Sequence, residues 1–298
     1  MNAALTPELD LRVRRNEPMA KHTSWRVGGP ADMFFTPRDR NELASFLRAL
    51  PADTPLYWVG LGSNLLVRDG GLRGVVICTH GAFTGLERRA QQRVYCEAGV
   101  PCTRLARQCG KWQLGQAEFF AGIPGTFGGA LAMNAGAYGG ETWSFVRSVE
   151  LIDREGRVHT RTPAEFSVGY RHVAGPVAGE WFLAAELEFG PPSADEVSTV
   201  RALSERRRQT QPLGEWSCGS VFTNPPGDYA ARLIEAAGLK GHRIGGAVVA
   251  EKHANFILND KDATASDLEA LIMHVQQTVS RVHGVTLVPE VRIVGEAR

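Results

Sequence analysis

Between Gly122 and Glu141 the chain reads GIPGTFGGALAMNAGAYGGE, a stretch of glycine and other small residues whose only charged group is the terminal acid. Such residues cannot fill a core by themselves, so a fold containing this segment must bring something else against it. Glycine removes Cβ and permits positive φ, which lets backbone N–H groups come into direct contact with a bound group. Amides turned outward from a loop that opens a helix suit phosphate or a flavin ring. An ordinary glycine-rich turn between packed elements has the same composition, so the rest of the chain must decide.

A chain of 298 residues, 43% apolar and with a formal net charge of +1, can bury one large core or two to three smaller ones. The expectation is a soluble globular protein. No apolar run reaches the length needed to cross a bilayer, and the start MNAALTPELDLRVRRNEP carries charges where a secretory segment needs apolar residues. A cytoplasmic location is expected. Near-neutral charge argues against a broad nucleic-acid footprint, and the basic run Arg206 to Arg208 reads as a solvated helix face. The cysteines, Cys78, Cys96, Cys102, Cys109 and Cys218, are odd in number and contain no CxxC pair. Neither a disulfide framework nor a metal site is indicated.

After a polar arm over residues 1–20, Leu56 to Val59 and Leu65 to Val67 read as short strands around the loop Gly60-Leu-Gly-Ser-Asn64. Val75 to Thr79 and Arg93 to Ala98 read as further strands, Thr103 to Gly110 and Thr126 to Met133 as short helices. Ser148 to Ile152 and Arg157 to Thr160, joined by Asp-Arg-Glu-Gly, give a hairpin signal. Trp181 to Phe189 alternates as a strand and ends at Gly190-Pro191-Pro192, where a domain boundary is expected before a charged helix running to about Gln211. Further on, Ser266 and Glu269 form a capping-box pattern, and Leu268, Leu271, Ile272, Val275, Val279 and Val282 hold helical spacing up to Gly284. Val285, Leu287, Val291 and Ile293 then alternate as a final strand, with Pro289 marking an edge or bulge.

Gly60-Leu-Gly-Ser-Asn-Leu65 begins like a dinucleotide fingerprint, but the third glycine is missing and a strand follows in place of a helix. No GxxxxGK[ST] loop, GxSxG elbow or HExxH helix occurs, which disfavours nucleoside triphosphatases, α/β-hydrolases and zinc proteases. Two glycine-rich loops remain, Gly60 to Leu65 and Gly122 to Gly129, and together they favour a nucleotide cofactor. Ser63, Asn64 and Asn134 add side-chain donors. The second half holds a cation, a hydroxyl and a carboxyl in unusual settings: Arg171 after Gly169-Tyr170, Ser220 within CGSVFTNP, and Glu290 inside an apolar strand pattern. Taken singly, each is more often a surface ion pair, a turn or a water-facing strand residue.

The segments HTSWRVGGPADMF (His22 to Phe34), GLGSNLLVRDGG (Gly60 to Gly71), AEFFAGIPGTFGGALAMNAGAYGGE (Ala117 to Glu141), GYR (Gly169 to Arg171), CGSVFTNP (Cys218 to Pro225), AGLKGHRIGGAVVAEKHANFILN (Ala237 to Asn259) and LVPEVRIVG (Leu287 to Gly295) occur in this order. This set resembles the UDP-N-acetylenolpyruvoylglucosamine reductases, FAD enzymes of peptidoglycan precursor synthesis, from about His22 to Gly295. The resemblance implies an α+β protein: a vanillyl-alcohol-oxidase (PCMH-type) FAD-binding domain over residues 21–192, in two subdomains of about 21–75 and 76–192, and a C-terminal α+β substrate domain over 193–298. It is closest to the shorter, type II-like subclass, since little room exists for a loop insertion between Arg171 and Trp181. Thr223 stands where a basic residue is common, and Trp216 where proline is common.

Carried over by position, the resemblance implies that Arg171, Ser220 and Glu290 are catalytic. It implies FAD contacts from Gly62, Ser63, Asn64, Leu65, Gly122, Ile123, Pro124, Gly125, Thr126, Gly129 and Ala130, with Asn134 beside them. Tyr170, Asn224, His253 and Asn255 are candidate substrate contacts, and the Arg206 to Arg208 run is a weaker one for the UDP phosphates. The implied cofactors are non-covalent FAD and NADPH as reductant. The implied partners are the UDP-sugar substrate and NADPH, with no nucleic acid and no membrane insertion. Arg171 would stabilise the growing enolate, Ser220 would protonate C2, and Glu290 would be held protonated by its apolar strand. Rival readings are an FAD oxidase of the same fold, with His22 or Cys102 as nominal attachment points for the flavin, and a non-catalytic nucleotide-sugar binding protein.

Overall fold

The structure, a computed structural model, describes residues 5–191, 202, 205 and 207–298. The chain divides into two compact units built from interleaved segments: Met1–Arg15, Met33–Gly60 and Gly74–Ser204 in the first, Asn16–Asp32, Leu61–Arg73 and Glu205–Arg298 in the second. The boundary expected after Pro192 lies outside the described residues. The division itself is not contiguous, because two early segments join the C-terminal one.

In the first unit, strands Leu56–Val59 and Leu72–Cys78 run parallel, pairing Leu56 with Val75 and Val59 with Cys78. Of the strand Pro30–Phe35, the residues Met33–Phe35 belong to this unit. The helix Arg40–Ala49 is capped by Asp39, whose side chain accepts from the Glu42 N–H, and it buries Leu43, Phe46 and Leu47. Phe46 stacks on Phe35 at 3.9 Å. A second, antiparallel sheet runs Val158–Arg161, Val146–Asp153, Glu180–Glu188, Arg93–Glu97, Leu86–Arg88. The expected hairpin, strands and short helices are therefore present. The helices Cys102–Lys111 and Phe127–Met133 bury Leu105, Phe127 and Leu131 in one apolar cluster with Val149, Ala185 and Leu187 of this sheet.

In the second unit the helix Ala265–His283 supplies Leu268, Leu271, Ile272, Val275 and Val279 to a core shared with Trp25, Leu66 and Phe222. Trp25 is fully buried; its Nε1 donates to the Ile257 carbonyl at 2.7 Å and its own carbonyl accepts from Asn259 Nδ2 at 2.9 Å. The short strands Arg243–Ile244, Ala247–Val249 and Ile257–Asn259 make an antiparallel sheet, and Leu65–Val67 pairs in parallel with Arg292–Val294. Two expectations need correction. The capping box is Thr264 with Asp267, two residues earlier than Ser266 and Glu269, which are engaged by Asp69 and Arg68 instead. The final strand is only Arg292–Val294, because the Glu290 N–H is spent on the Val221 carbonyl and proline has no N–H to offer at 289. Among the described residues no helix is long and apolar enough to cross a membrane.

Candidate active site

The segment Gly122–Asn134 in the first unit consists of a short 3-10 turn ending at Gly122, a bend with Gly125 at φ 124°, and the helix Phe127–Met133. Its amides are less available than the glycine content suggests: the Phe127 N–H donates to Val100 and the Gly128 N–H to Ala98, both at 2.8 Å. The missing side chains matter more. A Cβ on Gly128 would lie 2.8 Å from that of Ala98, and one on Gly122 would lie 2.6 Å from the Tyr138 ring. At Gly129 a Cβ would meet nothing within 4 Å. Gly128 and Gly129 border a cavity of about 230 Å³, also lined by Gly60, Trp58, Trp181 and Phe182. Ile123 and Ala130, expected at the cofactor, are buried in the apolar cluster, while Pro124 is exposed.

The polar edge of this region fits a cofactor. Among the described residues, Thr126 Oγ1 and Trp58 Nε1 are buried with no hydrogen-bond partner, an expensive condition that a ligand acceptor or donor removes. A Cβ on Gly60 would sit 2.1 Å from Thr126 Oγ1, so glycine is what leaves that hydroxyl its space. Trp58 stacks on Trp181 at 5.2 Å beside the cavity. Neither tryptophan stood out in the sequence, where each reads as an ordinary strand aromatic.

Arg171 occupies the tip of a hairpin between Ser167–Gly169 and His172–Ala174, in which Gly169 pairs with His172. Its Nη2 donates to the Gly136 carbonyl at 3.0 Å, and its guanidinium lies 5.1 Å from the centre of the Tyr170 ring. Tyr170 is itself exposed. Asn134, expected at the cofactor, has another task. It ends the helix in a left-handed conformation, is buried, and spends its amide on Glu141, Gly169 and Trp143.

In the second unit Gly62 has φ 62°, and a Cβ there would lie 2.0 Å from the His22 carbonyl. Half-buried Ser63 and Asn64 follow, and Leu65 starts the strand. Asn64 Nδ2 donates to the Glu290 carbonyl at 3.0 Å, and the Glu290 N–H donates to the Val221 carbonyl at 2.7 Å. Loop, Ser220 segment and Glu290 are thus joined in one patch. Ser220 is half-buried after Gly219 at φ 82°. Burial pushes the neighbouring Cys218 thiol well up, and the Glu290 carboxyl adds to the shift. Glu290 itself lies outside any strand, so the apolar-strand argument for its protonation does not apply.

Of the candidate substrate contacts in this unit Asn255 is buried, His253 half-buried and Asn224 exposed. Asn255 is buried and brackets Phe222, accepting its N–H at 3.0 Å and donating to its carbonyl at 2.8 Å. Asn224 Oδ1 accepts the Ala230 N–H at the start of the helix Ala230–Ala236. His253 packs its ring edge against Phe256 and its Nδ1 accepts the Asn255 N–H. Burial lowers its pKa, which keeps it neutral and makes it a poor phosphate ligand. Thr223 donates from both N and Oγ1 to the Val288 carbonyl. Arg208 pairs with Glu205 and Arg207 donates to Gln211; Arg206 lies outside the described residues.

Residues 31–162 match the model of an FAD-binding domain, and residues 211–294 match that of the UDP-N-acetylenolpyruvoylglucosamine reductase C-terminal domain. Proteins named UDP-N-acetylenolpyruvoylglucosamine reductase are 61% identical in Alkalilimnicola ehrlichii, over 96% of both chains, and 59% identical in Methylococcus capsulatus, over 95% of this chain and 93% of the other. The chain belongs to the UDP-N-acetylenolpyruvoylglucosamine reductase family. The crystal structure of such a reductase (MurB) from Thermus caldophilus covers 95% of this chain and 98% of its own, at 32% identity and a TM-score of 0.81. The α+β class and the FAD-binding domain expected from the resemblance are those of this reductase family.

Of the two nominal attachment points of the oxidase reading, Cys102 is unsuited to covalent attachment. Cys102 is fully buried and burial pushes its thiol up to about 12, which leaves almost no thiolate at neutral pH. His22 Nε2 is 2.8 Å from Glu17 Oε1. All five cysteines are buried and free.

Proposed function

We propose that this chain reduces the enolpyruvyl group of UDP-N-acetyl-3-O-(1-carboxyvinyl)glucosamine to give UDP-N-acetylmuramate, with NADPH as reductant and FAD as cofactor. The observation that carries this reading is the hydrogen-bonded patch of the second unit: Asn64 of a cofactor-type loop on Glu290, and Glu290 on Val221 beside Ser220. Family membership supplies the substrate, since the relatives carry its name. In the first unit Gly60, Thr126, Gly129 and Trp58 are the residues that would hold FAD; in the second, Gly62, Ser63, Asn64 and Leu65 are its loop. Bound FAD would supply the hydride-transfer chemistry that links NADPH to the enolpyruvyl group.

The remaining work falls to side chains. As the CH2 becomes CH3, negative charge builds at C2 and on the adjoining carboxylate. Arg171 is permanently cationic and its planar fork matches a carboxylate, so it stabilises that charge, one well-placed donor being worth roughly 3 kcal/mol. Ser220 gives its hydroxyl proton to C2, which completes the saturated lactyl ether. Glu290 in its protonated form hydrogen-bonds the same developing oxygens; ionised, it would repel them. The reading assigns the enzyme to the cytoplasm and, through cell-wall biogenesis, to cell shape and division.

Anaerobic stopped-flow measurement separates the half-reactions. Ser220→Ala is expected to leave flavin reduction by NADPH intact while slowing reoxidation by the enolpyruvyl substrate about 10²- to 10⁴-fold. Equal loss of both half-reactions overturns the assignment. Denaturation is expected to release the yellow cofactor into the small-molecule fraction; colour retained on the polypeptide would favour the covalent-oxidase reading.

A further inference from the structure

The hairpin tip that carries Arg171 is strained. Arg171 has φ 54°, in the left-handed region that a residue with Cβ adopts only at a cost. A two-stranded ribbon is marginal by itself, so the short strands Ser167–Gly169 and His172–Ala174 are weak restraints on such a tip. The restraint comes from Asn134 and the hairpin that follows it. Arg171 donates from Nη1 to the Asn134 carbonyl at 3.4 Å and from Nη2 to the Gly136 carbonyl at 3.0 Å. Asn134 Nδ2 donates to the Gly169 carbonyl at 3.2 Å, at the base of the tip, and to Glu141 Oε2 at 3.0 Å. Its Oδ1 accepts the Trp143 N–H at 3.0 Å.

We propose that Asn134, backed by Glu141, is a positioning residue that sets the Arg171 guanidinium for the carboxylate of the enolpyruvyl substrate. The inference rests on the catalytic reading of Arg171 given above. Both hydrogens of the Asn134 amide are used, one to hold the backbone before Arg171 and one on a carboxylate that fixes the amide's rotamer. The two backbone carbonyls that receive the guanidinium orient it without adding a formal negative charge. Asn134 is buried, so it acts through Arg171 and not by touching the substrate.

The test uses FAD-loaded holoenzyme carrying Asn134→Gly, Glu141→Ala, Glu141→Gln, Arg171→Lys and the Asn134→Gly/Arg171→Lys pair. Glycine retains the left-handed backbone and deletes only the amide. Flavin content and reduction by NADPH are expected at parental levels in Asn134→Gly, while reoxidation by saturating enolpyruvyl substrate falls about 10- to 100-fold, as for a displaced catalytic group. Binding of the same substrate to oxidised enzyme, read from the flavin absorbance shift, weakens in parallel. Glu141→Ala follows Asn134→Gly and carries the test if the glycine variant does not fold; Glu141→Gln, which can still accept from the amide, recovers most of the rate. The double variant is expected to be no slower than Arg171→Lys alone. Additive losses, a parental reoxidation rate in Asn134→Gly, or equal loss of both half-reactions overturns the proposal while the Arg171 reading stands. A parental rate in Arg171→Lys overturns that reading, and the proposal with it.

Discussion

Asn255 donates to the Phe222 carbonyl and accepts the Phe222 N–H, and its own carbonyl receives the Val221 N–H at 2.9 Å. These three bonds hold the backbone immediately after Ser220, in a setting where Asn255 is buried. Asn255→Ala would strand two buried backbone groups at about 1–3 kcal/mol each, so a urea titration is expected to find stability lower by about 2–6 kcal/mol; an unchanged midpoint would contradict the bracket. In the sequence Asn134 read as a ligand contact because it follows a segment rich in small residues, and Asn255 through the family resemblance. That inference identified residues that matter but not where their amides point. An amide side chain has the same chemistry toward a phosphate as toward a peptide group, and only the fold selects between them.

The helix Ala265–His283 shows the same limit at the level of an element. Its end at Gly284, φ 69°, was legible, and so was its apolar periodicity except at Val282, which is exposed. Its start was not, because Thr264-x-x-Asp267 and Ser266-x-x-Glu269 both fit a capping box. The choice is made by long-range partners: Asp69 accepts from the Ala265 and Ser266 N–H groups, and Glu269 receives both Nε and Nη2 of Arg68. Thr264→Ala is expected to cost about 1 kcal/mol of stability by loss of the cap, measured by chemical denaturation; a neutral result would return the cap to Ser266. The final strand was overextended for a related reason. Alternation marks which residues can face a core, but a strand also needs a partner for each N–H, and only Arg292–Val294 finds one in Leu65–Val67.

At the scale of the whole molecule, two half-buried histidines tie stability to pH. Burial, then Lys240, lowers the pKa of His253; burial, then His242 and Arg281, lowers that of His274. The unfolded chain takes up these protons first, near the ordinary histidine value of about 6.5. Their contribution is therefore complete above that pH and is lost as pH falls below it. Asp153 behaves oppositely to its own burial: hydrogen bonds from His159 and Arg157 outweigh desolvation and hold its carboxyl down at about 2, so its contribution fades only as pH falls from about 4 toward that value. Urea midpoints are expected to drop between pH 7.5 and pH 5.5, and the pair His253→Gln/His274→Gln to flatten the drop. A parental slope in that pair would assign the dependence elsewhere.

The glycine-rich segments, the periodic helix, the longer strands of the first unit and the ordered set of family motifs were determined by local sequence, because φ freedom, apolar spacing and residue order are properties of neighbours along the chain. The interleaving of segments into two units, the engagement of the glycine-loop amides by Ala98 and Val100, and the assignment of Asn134 and Asn255 to backbone positioning were decided only by tertiary structure. Each depends on which groups are brought within reach of one another by folding, and hydrogen-bond partners tens or hundreds of residues apart leave no local trace.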